Sequence, residues 1–136
     1  MLELWEMPGH LIRRLHQASV SLFLEEVGSA GHALTPVQFA AMCAIRANPG
    51  LDQATLAGLI AYDRVTIAGE TRRARELALS QAGEDAVERA TPAVRHAQVR
   101  MLDGLDPNER EVFLRLLTKA TAAANDHSRA PLRMSG

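Results

Sequence analysis

The stretch from Leu51 to Gly69 (LDQATLAGLIAYDRVTIAG) constrains this chain more than any other. It follows Asn48-Pro49-Gly50, a breaker cluster after which a new element has to begin. Asp52 stands where an N-cap belongs, its carboxylate placed to accept the free amides of a first helical turn. Leu56, Leu59 and Ile60 fall on one helical face, beside the small Ala57. Asp63 is a second N-cap, opening a helix that carries Arg64, Val65, Thr66 and Ile67. Two short helices, separately capped and joined by about three residues, make a helix-turn-helix pattern. Ala57 suits the crossing point, where a larger side chain would hold the helices apart. The exposed start of the second helix in such a pair meets DNA, which singles out Arg64 and Thr66. The competing reading is an ordinary pair of core helices, and the rest of the chain decides between them.

With 136 residues the chain is long enough for one domain with a real core. Aromatic residues are 4% of the chain, which favours helices over a β-sandwich, and no apolar run is long enough to span a bilayer. A secretory leader is not expected, and one cysteine leaves no internal disulfide, so the expected compartment is the cytoplasm. The net charge of −1 does not announce nucleic acid, but charge is unevenly spread: Arg72, Arg73 and Arg75 form the densest basic run, just after the helix-turn-helix.

The flanking segments read as helices. Leu2, Leu4 and the sole tryptophan, Trp5, make an apolar terminal segment that needs a surface to pack on. Pro8 suits a first helical turn, and Leu11, Ile12, Leu15, Leu22, Phe23 and Val27 recur at helical spacing until Gly28-Ser29-Ala30-Gly31. Thr35-Pro36 opens a second helix with Phe39, Met42, Cys43 and Ile45 on its apolar side. Ser80 caps the longest helical stretch, Gln81 to Leu105, which is expected to bend at Pro92 and to end at Gly104. Asp106-Pro107, with Glu109 three residues on, starts a last helix whose stripe is Val112, Phe113, Leu116, Leu117 and Ala120. His127 to Gly136 is a polar tail.

Between these parts the pattern fails. Glu70-Thr71-Arg72-Arg73 is wholly polar where the next inward helical position should be apolar. Glu76-Leu77-Ala78-Leu79-Ser80 alternates and predicts a short strand, yet no other segment alternates. A lone strand leaves its backbone groups unpaired. The rest of the second helix, a partner strand and a hairpin loop need roughly 20 residues. The chain is therefore expected to lack such a segment near residues 69–72, through an engineered deletion or because disordered residues are left out.

In this order the parts resemble the MarR family of winged helix-turn-helix transcriptional regulators, over nearly the whole chain. The resemblance is carried by Leu34-Thr35-Pro36-Val37-Gln38-Phe39, by 51–57, by Tyr62-Asp63-Arg64-Val65-Thr66-Ile67, and by Arg72-Arg73-Ala74-Arg75 before 77–83. It implies a mainly α winged helix-turn-helix fold with long N- and C-terminal dimerisation helices and an incomplete wing. It divides the chain into a dimerisation segment and first helix at 1–33, a DNA-binding lobe at 34–80, and dimerisation helices and tail at 81–136. The family pattern continues the recognition helix and adds a β wing, both missing here, and usually has aspartate where Thr71 stands.

The implied partners are double-stranded DNA and a second copy of the chain, with recognition helices in successive major grooves of a pseudo-palindrome. The resemblance assigns Thr55, Asp63, Arg64 and Thr66 to the DNA-reading helices, with Arg72, Arg73 and Arg75 on phosphate or minor groove. Many relatives release DNA on binding a small aromatic carboxylate or phenol between the dimerisation helices and the DNA-binding lobe. His10, Arg13, Arg14, His16 and Gln17 of the first helix are the effector candidates, since arginine or histidine beside an apolar wall pairs with a carboxylate. Cys43 on an apolar face reads as a core thiol rather than a redox switch.

Catalysis is not expected, and no cofactor or metal is. His10, His16, His32, His96 and His127 show no ligand spacing, there is no glycine-rich phosphate loop, and Cys43 has no base near it in sequence. The alternative of another class is a helical dimeric protein–protein adaptor, which would show no salt-dependent DNA binding.

Overall fold

The computed structural model describes residues 2–52, 54–56 and 78–127. Four helices dominate: α1 Pro8–Ser29, α2 Pro36–Ala47, α3 Gln81–Met101 and α4 Pro107–Ala123. Single 3-10 turns at Leu4–Glu6 and Asn125–His127 flank them.

Local chemistry sets most of the boundaries. Pro8, Pro36 and Pro107 each sit in a first turn, where the missing amide costs nothing. Thr35 accepts from the Gln38 amide at 3.1 Å while the Gln38 side chain takes the Thr35 amide at 3.0 Å. Asp106 and Glu109 repeat that reciprocal pair at 2.9 and 3.0 Å. Ser80 caps α3 through the Gly83 amide at 3.1 Å, with no reciprocal bond from Glu84. At the end of α1, His32 N–H reaches Val27 O and Gly31 N–H reaches Gly28 O, both at 3.0 Å, with Gly31 at φ 84°. This is a Schellman closure, which requires the left-handed residue that glycine supplies. Asn48-Pro49-Gly50-Leu51 turns the chain with Gly50 at φ 85° and a 3.3 Å bond from Leu51 N–H to Asn48 O, the signature of a type II turn.

Two expectations are corrected. Helix α3 stops at Met101, not at Gly104, and residues 102–105 follow as turns. There the backbone tightens, the amides of Leu102, Asp103 and Leu105 bonding to the carbonyls three residues back, and Arg110 Nε of α4 donates to Leu102 O at 3.2 Å and to Leu105 O at 3.1 Å, satisfying carbonyls that a helix end leaves unpaired. Arg110→Ala is expected to cost about 1–2 kcal/mol in a denaturant melt, and an unchanged midpoint would remove that role. The expected strand is not formed in its described part. Ala78, Leu79 and Ser80 take no strand structure, and the first two residues of that run lie outside the described residues.

Helix α3 packs along α1, with α2 lying against both. One buried cluster joins Phe23 and Val27 of α1 to Val94 of α3, covered by Leu34, Phe39 and Ala93. A second joins Ile45 at the end of α2 to Leu51 and Leu56, with Ala41, Ala44 and Leu79 around it. Leu79 therefore ties the stretch before α3 to the lobe that opens at Asp52. Val87, Ala90 and Ala97 complete the buried side of α3, while α4 buries no residue within the protomer.

Candidate functional site

The start of the helix-turn-helix is formed as its sequence requires. Asp52 Oδ1 accepts the Thr55 amide at 2.6 Å, opening a helical turn at 54–56. Leu56 is fully buried against Ile45 and Leu51, which leaves Ala54 and Thr55 exposed on the outer side. Thr55 is thus the one DNA-reading candidate within the described residues. Asp63, Arg64, Thr66, Arg72, Arg73 and Arg75 lie outside them, as does the expected gap near 69–72.

The five effector candidates of α1 separate into two faces. A cavity of about 280 Å³ lies among α1, the end of α3 and α4, walled by Leu11, Ile12 and Leu15 on one side and Met101, Phe113 and Leu117 on the other. Among the described residues, His16 and Ser19 are its only polar lining, and none of α2 or of 51, 52 and 54–56 reaches it. At about 3.6 residues per turn, His10, Arg13, Arg14 and Gln17 fall on the opposite side of α1. There the Arg14 guanidinium lies 5.6 Å from the centre of the Trp5 ring, and His10 meets the same ring edge-on at 5.6 Å. His10 Nε2 is shut off from solvent with no hydrogen-bond partner among the described residues. Arg13 and Gln17 are exposed.

A polar cluster that pattern reading missed clasps α1 to α3. Glu26 accepts from Arg100 at 2.7 Å on one oxygen and meets His96 Nδ1 at 2.8 Å on the other, while Glu25 accepts from Arg100 at 3.1 Å. Only the i, i+4 spacing of His96 and Arg100, which puts both on one face of α3, hints at it. The hydrogen bonds from His96 and then Arg100 hold the Glu26 carboxyl below its ordinary value of 4.5, against a smaller opposing effect of desolvation. A depressed carboxyl adds stability above its unfolded pKa and loses it as pH falls through the folded one. The melting temperature of the parent minus that of Glu26→Gln is therefore expected to be positive at pH 7 and to shrink toward zero below the ordinary value of 4.5. A gap independent of pH would refute the clasp.

Cys43 is half-buried on α2, and burial pushes its thiol pKa up, with Arg46 opposing weakly. That favours the unreactive thiol over the thiolate. Among the described residues no group of three or more metal-ligating side chains comes together, and no helix is long and apolar enough to cross a membrane.

No protein-family model matches the sequence. The HTH-type transcriptional repressor NicR of Pseudomonas putida is 29% identical over 131 residues, an alignment taking in 84% of this chain and 82% of that protein. The PcaV transcriptional regulator of Streptomyces coelicolor, solved in complex with its natural ligand, is 30% identical with a TM-score of 0.77, covering 91% of this chain and 98% of that one. The repressor CouR bound to p-coumaroyl-CoA has a TM-score of 0.76 at 28% identity, over 90% of this chain and 96% of that one. BpsR of Bordetella bronchiseptica, whose DNA binding is regulated by 6-hydroxynicotinic acid, has a TM-score of 0.75 at 27% identity, over 88% of this chain and 98% of that one. These relatives are regulators of transcription and not enzymes, and the structural likeness covers 88–91% of this chain. The chain belongs to the MarR family of winged helix-turn-helix transcriptional regulators.

Proposed function

We propose that the protein is a cytoplasmic, homodimeric repressor that leaves a pseudo-palindromic operator when a small aromatic acid or phenol binds. The observation that carries the reading is the Asp52-capped turn, anchored by Leu56 and followed in sequence by the second capped start at Asp63. Its likeness to repressors that bind p-coumaroyl-CoA or respond to 6-hydroxynicotinic acid supports the effector class.

Dimerisation is supported by apolar surface that the protomer leaves open. Leu2, Trp5, Ile12, Leu114 and Leu116 are each half or more exposed, all on the N-terminal segment, α1 and α4. Two copies joined there would present two helix-turn-helix units to successive major grooves. Asp63, Arg64, Thr66 and Thr55 would meet the groove and its phosphates, and Arg72, Arg73 and Arg75 would grip the flanking backbone. Arg73→Ala is expected to weaken binding to every DNA sequence alike and to lower the salt slope by about 1. An unchanged slope would take Arg73 off the DNA.

The effector would lie against α1. His16 and Ser19 offer the polar end of the apolar cavity, whereas His10, Arg13, Arg14 and Gln17 offer cationic and amide groups on the other face. The deciding experiment is fluorescence anisotropy with DNA upstream of the protein's own gene, run over a salt series and then with hydroxylated benzoates and cinnamates. Salt-sensitive binding relieved by one compound supports the reading, and repeating it with His16→Ala and Arg13→Ala tells which face holds the effector. Binding no tighter than to random DNA overturns it.

A further inference from the structure

We propose that the cleft among α1, the end of α3 and α4 is a binding site for a small uncharged phenol, roofed by the second copy of the chain. The inference rests on the dimeric and effector readings above and takes them further. The cleft holds about 280 Å³. An apolar cavity of about 150 Å³ suffices for benzene, so there is room for one substituted ring. The floor is Leu15, Met101, Phe113 and Leu117, all half-buried, and the rim is Leu11 and Ile12, 45% and 57% exposed. The polar groups among its described lining are the His16 imidazole and the Ser19 hydroxyl, three residues apart and so on one face of α1.

That lining decides the chemistry of the ligand. A phenol hydroxyl both donates and accepts a hydrogen bond, and an imidazole beside a hydroxyl offers both counterparts. Among the described residues no guanidinium or ammonium lines the cleft, and Arg13 and Arg14 lie on the other side of α1, where Arg14 covers the Trp5 ring. A carboxylate pressed against this floor would lose hydration with no fixed cation to replace it, whereas a phenol would lose only the hydration of one hydroxyl.

The cleft is open on the side where the copies join. Ile12 belongs both to its rim and to the exposed apolar surface that continues over Val112 and Leu116 of α4. None of the lining residues is fully buried in a single protomer, so a ring seated there keeps one side in water. A second copy set on that surface closes this side and makes the cleft an enclosed site. None of α2 or of 51, 52 and 54–56 lines it, so the site stands apart from the boundary with the DNA-binding lobe, and its ligand acts on the joining of the copies.

The test titrates 4-ethylphenol into the protein by calorimetry at neutral pH without DNA, then displaces it with 4-hydroxybenzoate, while light scattering reads the mass. Saturable binding of one phenol per copy is expected, with the acid displacing it only at about tenfold higher concentration or more, and with dimers that survive greater dilution when the phenol is present. Leu15→Trp, which fills the floor, should abolish binding, and Ser19→Ala, which removes a hydroxyl and little volume, should weaken it about tenfold. The Leu116→Glu monomer, altered outside the cleft, should bind about tenfold more weakly or worse because the roof is gone. Four results would overturn the proposal: no saturable binding, an acid that displaces the phenol at equal concentration, parent-like binding in both cleft variants, and a monomer that binds as the parent does. A parent chain of monomer mass would remove the dimeric reading together with the roof, whereas a dimer that ignores the phenol removes this proposal alone.

Discussion

Leu116→Glu is expected to turn the dimer into a 14.8 kDa monomer and to lower operator affinity by about a hundredfold or more. Leu116 is 50% exposed and α4 has no fully buried residue within its protomer, so the substitution leaves each copy's fold almost untouched. Its cost falls on association, where a carboxylate would be set into a mainly apolar contact. The loss of affinity follows because one protomer contacts one half-site, and the two half-sites of a pseudo-palindrome are bound cooperatively only while the protomers are joined. Light scattering behind size exclusion reads the mass, and anisotropy reads the affinity. A dimer with parent-like affinity would show that α4 does not join the copies.

The second large effect is Phe23→Ala, which should destabilise the fold by about 3–5 kcal/mol. Phe23 is 4% exposed, packs with Val27 and Val94, and meets the Phe39 ring edge-on at 6.1 Å. It therefore belongs to α1, α2 and α3 at once, and truncation opens a cavity that none of the three can close alone. Denaturant unfolding at fixed protein concentration measures it, because dimer stability depends on concentration. A cost below about 1 kcal/mol would mean that the cluster collapses around the gap. Phe23→Leu, which keeps most of the volume, should recover much of the loss.

The contrast between these two residues shows how much was legible beforehand. Both lie on helical stripes of similar apolar character, and periodicity predicted both as inward-facing. Periodicity gives the direction of a side chain around its own helix but not what stands opposite. Phe23 meets α2 and α3, whereas Leu116 is half exposed and belongs to neither buried cluster. The same holds for the basic residues of α1. His10, Arg13, Arg14, His16 and Gln17 read as one effector group because they are adjacent in the chain. The helical twist sends His16 to the cavity and leaves His10 and Arg14 around Trp5.

What the sequence by itself determined is local. Thr35-Pro36, Asp52, Ser80 and Asp106-Pro107 place helix starts to the residue, and Gly31 closes α1, because caps and left-handed glycines act over three to five residues of the same chain. The tertiary structure decided everything that needs two distant segments. The Glu26 clasp joins residues 70 and 74 positions apart, and Arg110 of α4 folds back onto the Leu102 and Leu105 carbonyls in the turn after α3. The cavity exists only where α1, α3 and α4 converge. Such features depend on which helix faces come to lie together, and that is settled by burial of the whole apolar surface rather than by any one stretch.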